Sequence, residues 1–82
     1  MTTLEQILID YPDESFYIAD GFDDAIIGFD ENAVRLVYDI DVIIDILIEE
    51  GMTYEEAREH YDYNIAGGYI GEGTPIFVKK YV

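Results

Sequence analysis

Residues 38–69, YDIDVIIDILIEEGMTYEEAREHYDYNIAGGY, constrain the fold more than any other stretch, because they specify two helices and the joint between them. Ile40, Ile43, Ile44, Leu47 and Ile48 recur at i, i+3, i+4, i+7 and i+8. That spacing gathers side chains on one face of a 3.6-residue helix. Gly51 follows, and glycine ends helices because it takes the left-handed conformation without a Cβ clash. Thr53 and Glu56 have the spacing of a capping box, and Met52 and Ala57 hold the flanking staple positions. The second helix is expected to turn Tyr54, Ala57, Tyr61 and Ile65 inward and to unwind over residues 64–68.

Two helices with one apolar stripe each need a sheet to cover, and the flanking sequence supplies strand patterns. Thr2 or Thr3 caps a short first helix, with Glu5 or Gln6 completing the box and Leu4, Ile7 and Leu8 on its apolar face. Tyr11-Pro12 stops it. The aromatic and β-branched run at residues 16–19 predicts a strand. It is expected to pair, around the Asp20-Gly21 turn, with a second strand at residues 25–29. Gly28 marks a bulge or a close backbone approach. Residues 33–38 alternate, with Val34, Leu36 and Tyr38 on one face and Arg35 on the other. Residues 74–78 give a last strand, with Pro75 at its start or on an edge. The expected fold is a single compact α+β domain over residues 1–82. It has a small antiparallel sheet of three to four strands, with two or three helices packed mainly on one face.

Charge is the second constraint. Nineteen acids face only Arg35, Arg58, Lys79 and Lys80, for a formal charge of −15, and nine of those acids precede Arg35. Solubility alone asks for a net charge of magnitude about 2–8. Such a surface repels nucleic-acid phosphates and anionic membranes and attracts basic proteins. With no cysteine there is neither a disulfide framework nor a thiolate site. No basic n-region precedes an apolar run at the start, and an apolar run such as Val42-Ile43-Ile44 is far short of a membrane span. The expected location is the cytoplasm.

The clearest candidate surface is the outer face of the first central helix. Asp41, Asp45 and Glu49 lie at i, i+4 and i+8, beside Glu50. Like charges at this spacing cost an isolated helix about 0.2–0.5 kcal/mol per pair, and acids in the last turn oppose the helix dipole. The alternatives are an acidic ridge for a basic partner and a solvated face compensated in part by Arg58. Tyr69 and Ile70 join the candidate contact residues as an aromatic and an aliphatic side chain among glycines. Eight tyrosines and no tryptophan agree with a protein-binding surface, since tyrosine supplies contact area at low entropy cost.

Other chemistry is poorly supported. Asp20, Asp23, Asp24, Asp30 and Glu31 cluster near the expected hairpin, but DGFDDAIIGFDE does not follow the EF-hand spacing. His60 is the only histidine, with Glu56 one turn before it and Glu59 adjacent; it is expected to be a partly exposed helix histidine, and the further ligands of a zinc site are missing from the sequence. Ser15, the only serine, lacks a nucleophile elbow. The loop GGYIGEGTP lacks the P-loop lysine, precedes a strand and carries Glu72, so it reads as a positive-φ connection. No cofactor, catalytic residue or metal ligand is expected.

The segments ADGFDDAIIGFD, RLVYDIDVIIDIL and MTYEEAREHYDYNIAGGYIGEGTPIFV, over roughly residues 19–78, resemble a family of small acidic uncharacterised proteins of tailed bacteriophages. The resemblance implies the cytoplasm of an infected bacterium as the setting and carries no site residues. The resulting expectation is a non-enzymatic accessory protein. It binds a basic host protein through an acidic, tyrosine-bearing surface, as a nucleic-acid mimic or inhibitor of a host factor, and contacts neither nucleic acid nor membrane itself. The alternatives are a self-assembling structural or interaction domain, with homo-oligomers left open, and a small metal- or ligand-binding protein.

Overall fold

The computed structural model describes residues 1–68 and 71–81. The chain forms helix α1 (Thr3–Asp10), a 3₁₀ turn (Asp23–Ala25), strands β1 (Ile26–Asp30) and β2 (Arg35–Asp39), and helices α2 (Ile40–Glu49) and α3 (Tyr54–His60). A π-helix (Tyr61–Ile65) continues α3, and strand β3 (Ile76–Val78) follows. The fold is α+β, and the described residues form three α-helices and a three-stranded sheet in the order β1-β2-β3.

The sheet is mixed, not wholly antiparallel: β1 pairs antiparallel to β2, and β3 pairs parallel to β2. Parallel pairing needs a long crossover, which α2 and α3 supply. Residues 16–19 form no strand, and the hairpin joins β1 to β2. The backbone of that segment is held by other partners. The Tyr17 N–H donates to the Gly73 carbonyl at 3.1 Å, and the Ala19 N–H donates to the Tyr38 hydroxyl at 2.7 Å. The strand-like side chains are there to pack: the Phe16 and Phe29 rings lie 5.1 Å apart.

A bulge in β1 decides which side chains reach the core. Ile26 pairs with Tyr38 and Gly28 with Val37, so Ile27 is an extra residue in β1. Directly opposed residues share a sheet face, and each single step along a strand reverses it. The inserted residue therefore brings Ile26 and Phe29, three apart, onto the face of Tyr38 and Leu36, two apart. Gly28 sits at the bulge, as its position in the strand pattern predicts. Phe77 joins the same face opposite Tyr38, with ring centroids 5.6 Å apart. Val34 lies outside the strand at φ 56°, in the turn, so only Leu36 and Tyr38 of the expected alternation face the core.

The helices cover that face. Tyr11, at the end of α1, packs on Phe29 at 4.6 Å, and Tyr61 meets Phe77 edge-on at 5.7 Å. Ile7, Ile43, Ile44, Leu47, Ala57, Tyr61 and Ile65 complete the core with Ile26, Leu36 and Tyr38. The cap signals hold. Thr2 and Glu5 box α1, Thr53 and Glu56 box α3, and the Asp39 carboxylate accepts the Asp41 N–H at 2.9 Å. Gly51, at φ 111°, closes a Schellman turn in which its own N–H donates to the Ile48 carbonyl and the Met52 N–H to the Leu47 carbonyl.

The helix expectations change in several places, and Leu8 and Ile48, expected on apolar faces, are 44% and 39% exposed. Tyr54 is 62% exposed at the first position of α3, so the inner stripe consists of Ala57, Tyr61 and Ile65. The helix also widens before it ends: the Ala66 N–H donates to the Tyr61 carbonyl, five residues back, at 2.8 Å. The wider turn suits a stripe spaced four residues apart, which drifts around an ordinary 3.6-residue helix.

Candidate functional site

Asp41, Asp45, Glu49 and Glu50 are all exposed, the first three in successive turns of α2 and Glu50 at its C-cap. At 1.5 Å per residue, the first three form a row with about 6 Å of rise between neighbours. The apolar residues Ile43, Ile44 and Leu47 fix the orientation of the helix by entering the core, which leaves the acids facing solvent.

The first member of the row is neutralised in part. Lys79 Nζ lies 2.9 and 3.2 Å from the two Asp41 carboxylate oxygens. The parallel register explains this pair, since it sets Asp39 beside Val78 and so delivers Lys79 to the first turn of α2. The hydrogen bond and charge of Asp41 hold the Lys79 pKa above its ordinary value, and Tyr81 and Tyr54 add smaller effects. Arg58, the compensating cation expected from the sequence, turns elsewhere. Its Nε is 3.7 Å from Asp62, and its guanidinium lies 5.4 Å above the Tyr61 ring. Among the described residues, no cation forms a salt bridge with Asp45, Glu49 or Glu50. Tyr69 and Ile70 lie outside the described residues.

A second acidic surface runs along α3 and the π-helix that continues it, a grouping that the apolar pattern of the sequence does not reveal. Glu56, Glu59, His60, Tyr63 and Asn64 recur at helical spacing and, with Met52, line an open depression of about 330 Å³. Tyr63 is 80% exposed. Asn64 Nδ2 is 3.3 Å from His60 Nδ1, joining the two side chains one helical turn apart. Glu56 is held below the usual carboxylate range, first by the Thr53 backbone N–H and then by its hydroxyl. The signal for this surface was present in the i, i+3, i+4, i+7, i+8 pattern. It is obscured in the sequence because the same stretch carries the apolar stripe of Ala57, Tyr61 and Ile65.

Of the acids near the hairpin, Asp30 serves the backbone and Glu31 a side chain. Asp30 Oδ1 accepts the N–H groups of Asn32 and Ala33 at 3.0 and 3.2 Å, an Asx-type turn, and Glu31 accepts the Tyr11 hydroxyl at 2.7 Å. That hydrogen bond, ahead of desolvation and nearby charge, raises the Tyr11 pKa. Among the described residues, no three histidine, aspartate or glutamate side chains converge as a metal would require. In the glycine loop, Gly73 is buried at φ 77°, and a Cβ there would stand 3.2 Å from the Phe16 Cα. At Gly73 backbone packs on backbone. Among the described residues, no helix is long and apolar enough to cross a membrane.

Comparison of the chain with family models, curated proteins and solved structures finds no match.

Proposed function

We propose that this protein is a non-enzymatic binding protein that engages a basic protein through the acidic face of α2, occupying the surface on which that partner would hold nucleic acid. The observation that carries the proposal is the uncompensated end of the ridge. Asp45, Glu49 and Glu50 are exposed, and among the described residues they have no cationic partner. An acidic last turn works against the helix dipole, so stability alone does not favour this arrangement. A basic partner reverses the sign of that cost. The resemblance to small phage proteins supplies the proposed setting: a bacterial cytoplasm, with a host nucleic-acid-binding protein as the target.

The test is a paired pull-down from bacterial lysate with the wild-type chain and an Asp45→Asn/Glu49→Gln/Glu50→Gln variant. The expected result is a basic nucleic-acid-binding protein that the wild type retains, that duplex DNA and raised salt both displace, and that the variant fails to hold. A partner retained equally by the variant, or indifferent to DNA and salt, would refute the proposal.

A further inference from the structure

We infer that the depression between Met52 and the outer stripe of α3 receives an arginine side chain from a partner protein. Each part of the depression suits a different part of that side chain. Half-buried Met52 offers an apolar floor for the methylene stem. Tyr63 offers an exposed ring face. Glu56 and Glu59 supply the countercharge, and among the described residues neither forms a salt bridge. The hydrogen-bonded His60 and Asn64 complete the lining.

The protein already shows what such a set of groups holds. On the adjoining part of the same helix, Arg58 covers the Tyr61 ring at 5.4 Å while its Nε faces Asp62 at 3.7 Å. Glu59 and Tyr63 again offer a carboxylate and a tyrosine ring, here four residues apart where Tyr61 and Asp62 are adjacent, and without a cation from the described chain. A guanidinium fits better than an ammonium. Its planar fork donates sideways to a carboxylate while its face stacks on an aromatic ring, whereas lysine acts as a strongly hydrated point charge. The inference rests on the proposed function for the basic character of the partner; the geometry of the depression adds which side chain is read and where.

The probes are hexa-arginine and hexa-lysine peptides, titrated into the ¹⁵N-labelled full chain at about 0.15 M salt, where diffuse surface attraction is largely screened. The expected result is tighter binding of hexa-arginine, with the largest amide shifts between residues 52 and 64. Tyr63→Leu and Glu59→Gln should each weaken it by about two- to five-fold, the range of exposed cation–π and ion-pair contacts. Equal affinity for the two peptides, with shifts along α2 and sensitivity only to Asp45→Asn/Glu49→Gln, would overturn the arginine site and leave the ridge proposal standing. Failure of both peptides to bind would overturn both.

Discussion

Replacing Tyr38 with phenylalanine removes one oxygen from the centre of the sheet and leaves the rest of the packing in place. Tyr38 is fully buried in the middle strand, and its hydroxyl accepts the N–H of Ala19, itself only 1% exposed, at 2.7 Å. The ring stays against Phe77, so no cavity of the large-to-small kind opens. What is lost is the acceptor for a buried amide in a segment that has no strand ladder to fall back on. A buried donor left unsatisfied costs about 1–3 kcal/mol. In a domain of this size, each kcal/mol lowers Tm by about 4–8 °C. Urea unfolding of Tyr38→Phe should therefore show a lower midpoint with an unchanged m-value. Native-state hydrogen exchange adds a local check, because protection of the Ala19 amide should fall more than that of the β1–β2 amides. A loss below about 0.5 kcal/mol, with Ala19 protection unchanged, would refute the idea that this bond ties residues 15–19 to the sheet.

Three further outcomes follow from the caps and the charge. Gly51→Ala should destabilise by about 1 kcal/mol through backbone strain alone, because φ is 111° and no atom lies within 4 Å of the added Cβ, whereas D-alanine, introduced by chemical synthesis, suits that φ and should be tolerated. Equal effects from the two enantiomers would show that strain is not the cause. Glu56 has a folded-state pKa below its ordinary 4.5, so its contribution is complete above the unfolded-state value and is lost as pH falls through the lower folded one. Thr53→Ala removes the hydroxyl and keeps the backbone N–H, so carbon-detected titration of Glu56 should show a partial rise of its midpoint; an unmoved midpoint would mean that the hydroxyl does not help to hold the charge. The net charge of −15 predicts a Tm that rises from low to moderate salt, and a smaller rise in Asp45→Asn/Glu49→Gln. A salt response unchanged by the variant would place the repulsion elsewhere.

The helices were legible in the sequence because their signals are local. Ile43, Ile44 and Leu47 enter the core as their spacing requires, and Gly51, Thr53 and Glu56 mark the joint within six residues of one another. The sheet was legible only in part. Residues 16–19 have the composition of a strand, but composition reports burial and packing, and here those needs are met by Phe29, Gly73 and Tyr38 without a ladder. The direction of β3 depends on where the α2–α3 crossover returns the chain, which no local pattern encodes. The exposure of Tyr54 is a similar case: its place in the stripe is right, but it stands at the first position of α3.

The direction of β3 also governs the candidate site. Antiparallel pairing would have set Lys79 at the far end of β2, leaving Asp41 to continue the bare row. Parallel pairing brings Lys79 to Asp41 and shifts the uncompensated charge to the other end of α2, onto Asp45, Glu49 and Glu50. Arg58 is committed to Tyr61 and Asp62, and Arg35 is paired in register with Asp30 across the hairpin. Of the four basic residues in the chain, three are thereby placed away from that end. The chain has almost no means of neutralising the C-terminal end of α2 from within, and Gly51 then carries it directly into the second acidic face. Met52, Glu56 and Glu59 begin within one turn of Glu50 in sequence, so the two surfaces flank the same joint. A partner that presents a basic row with one projecting arginine would satisfy both; neutralising the α2 ridge should release that partner, whereas Glu59→Gln alone should only weaken it.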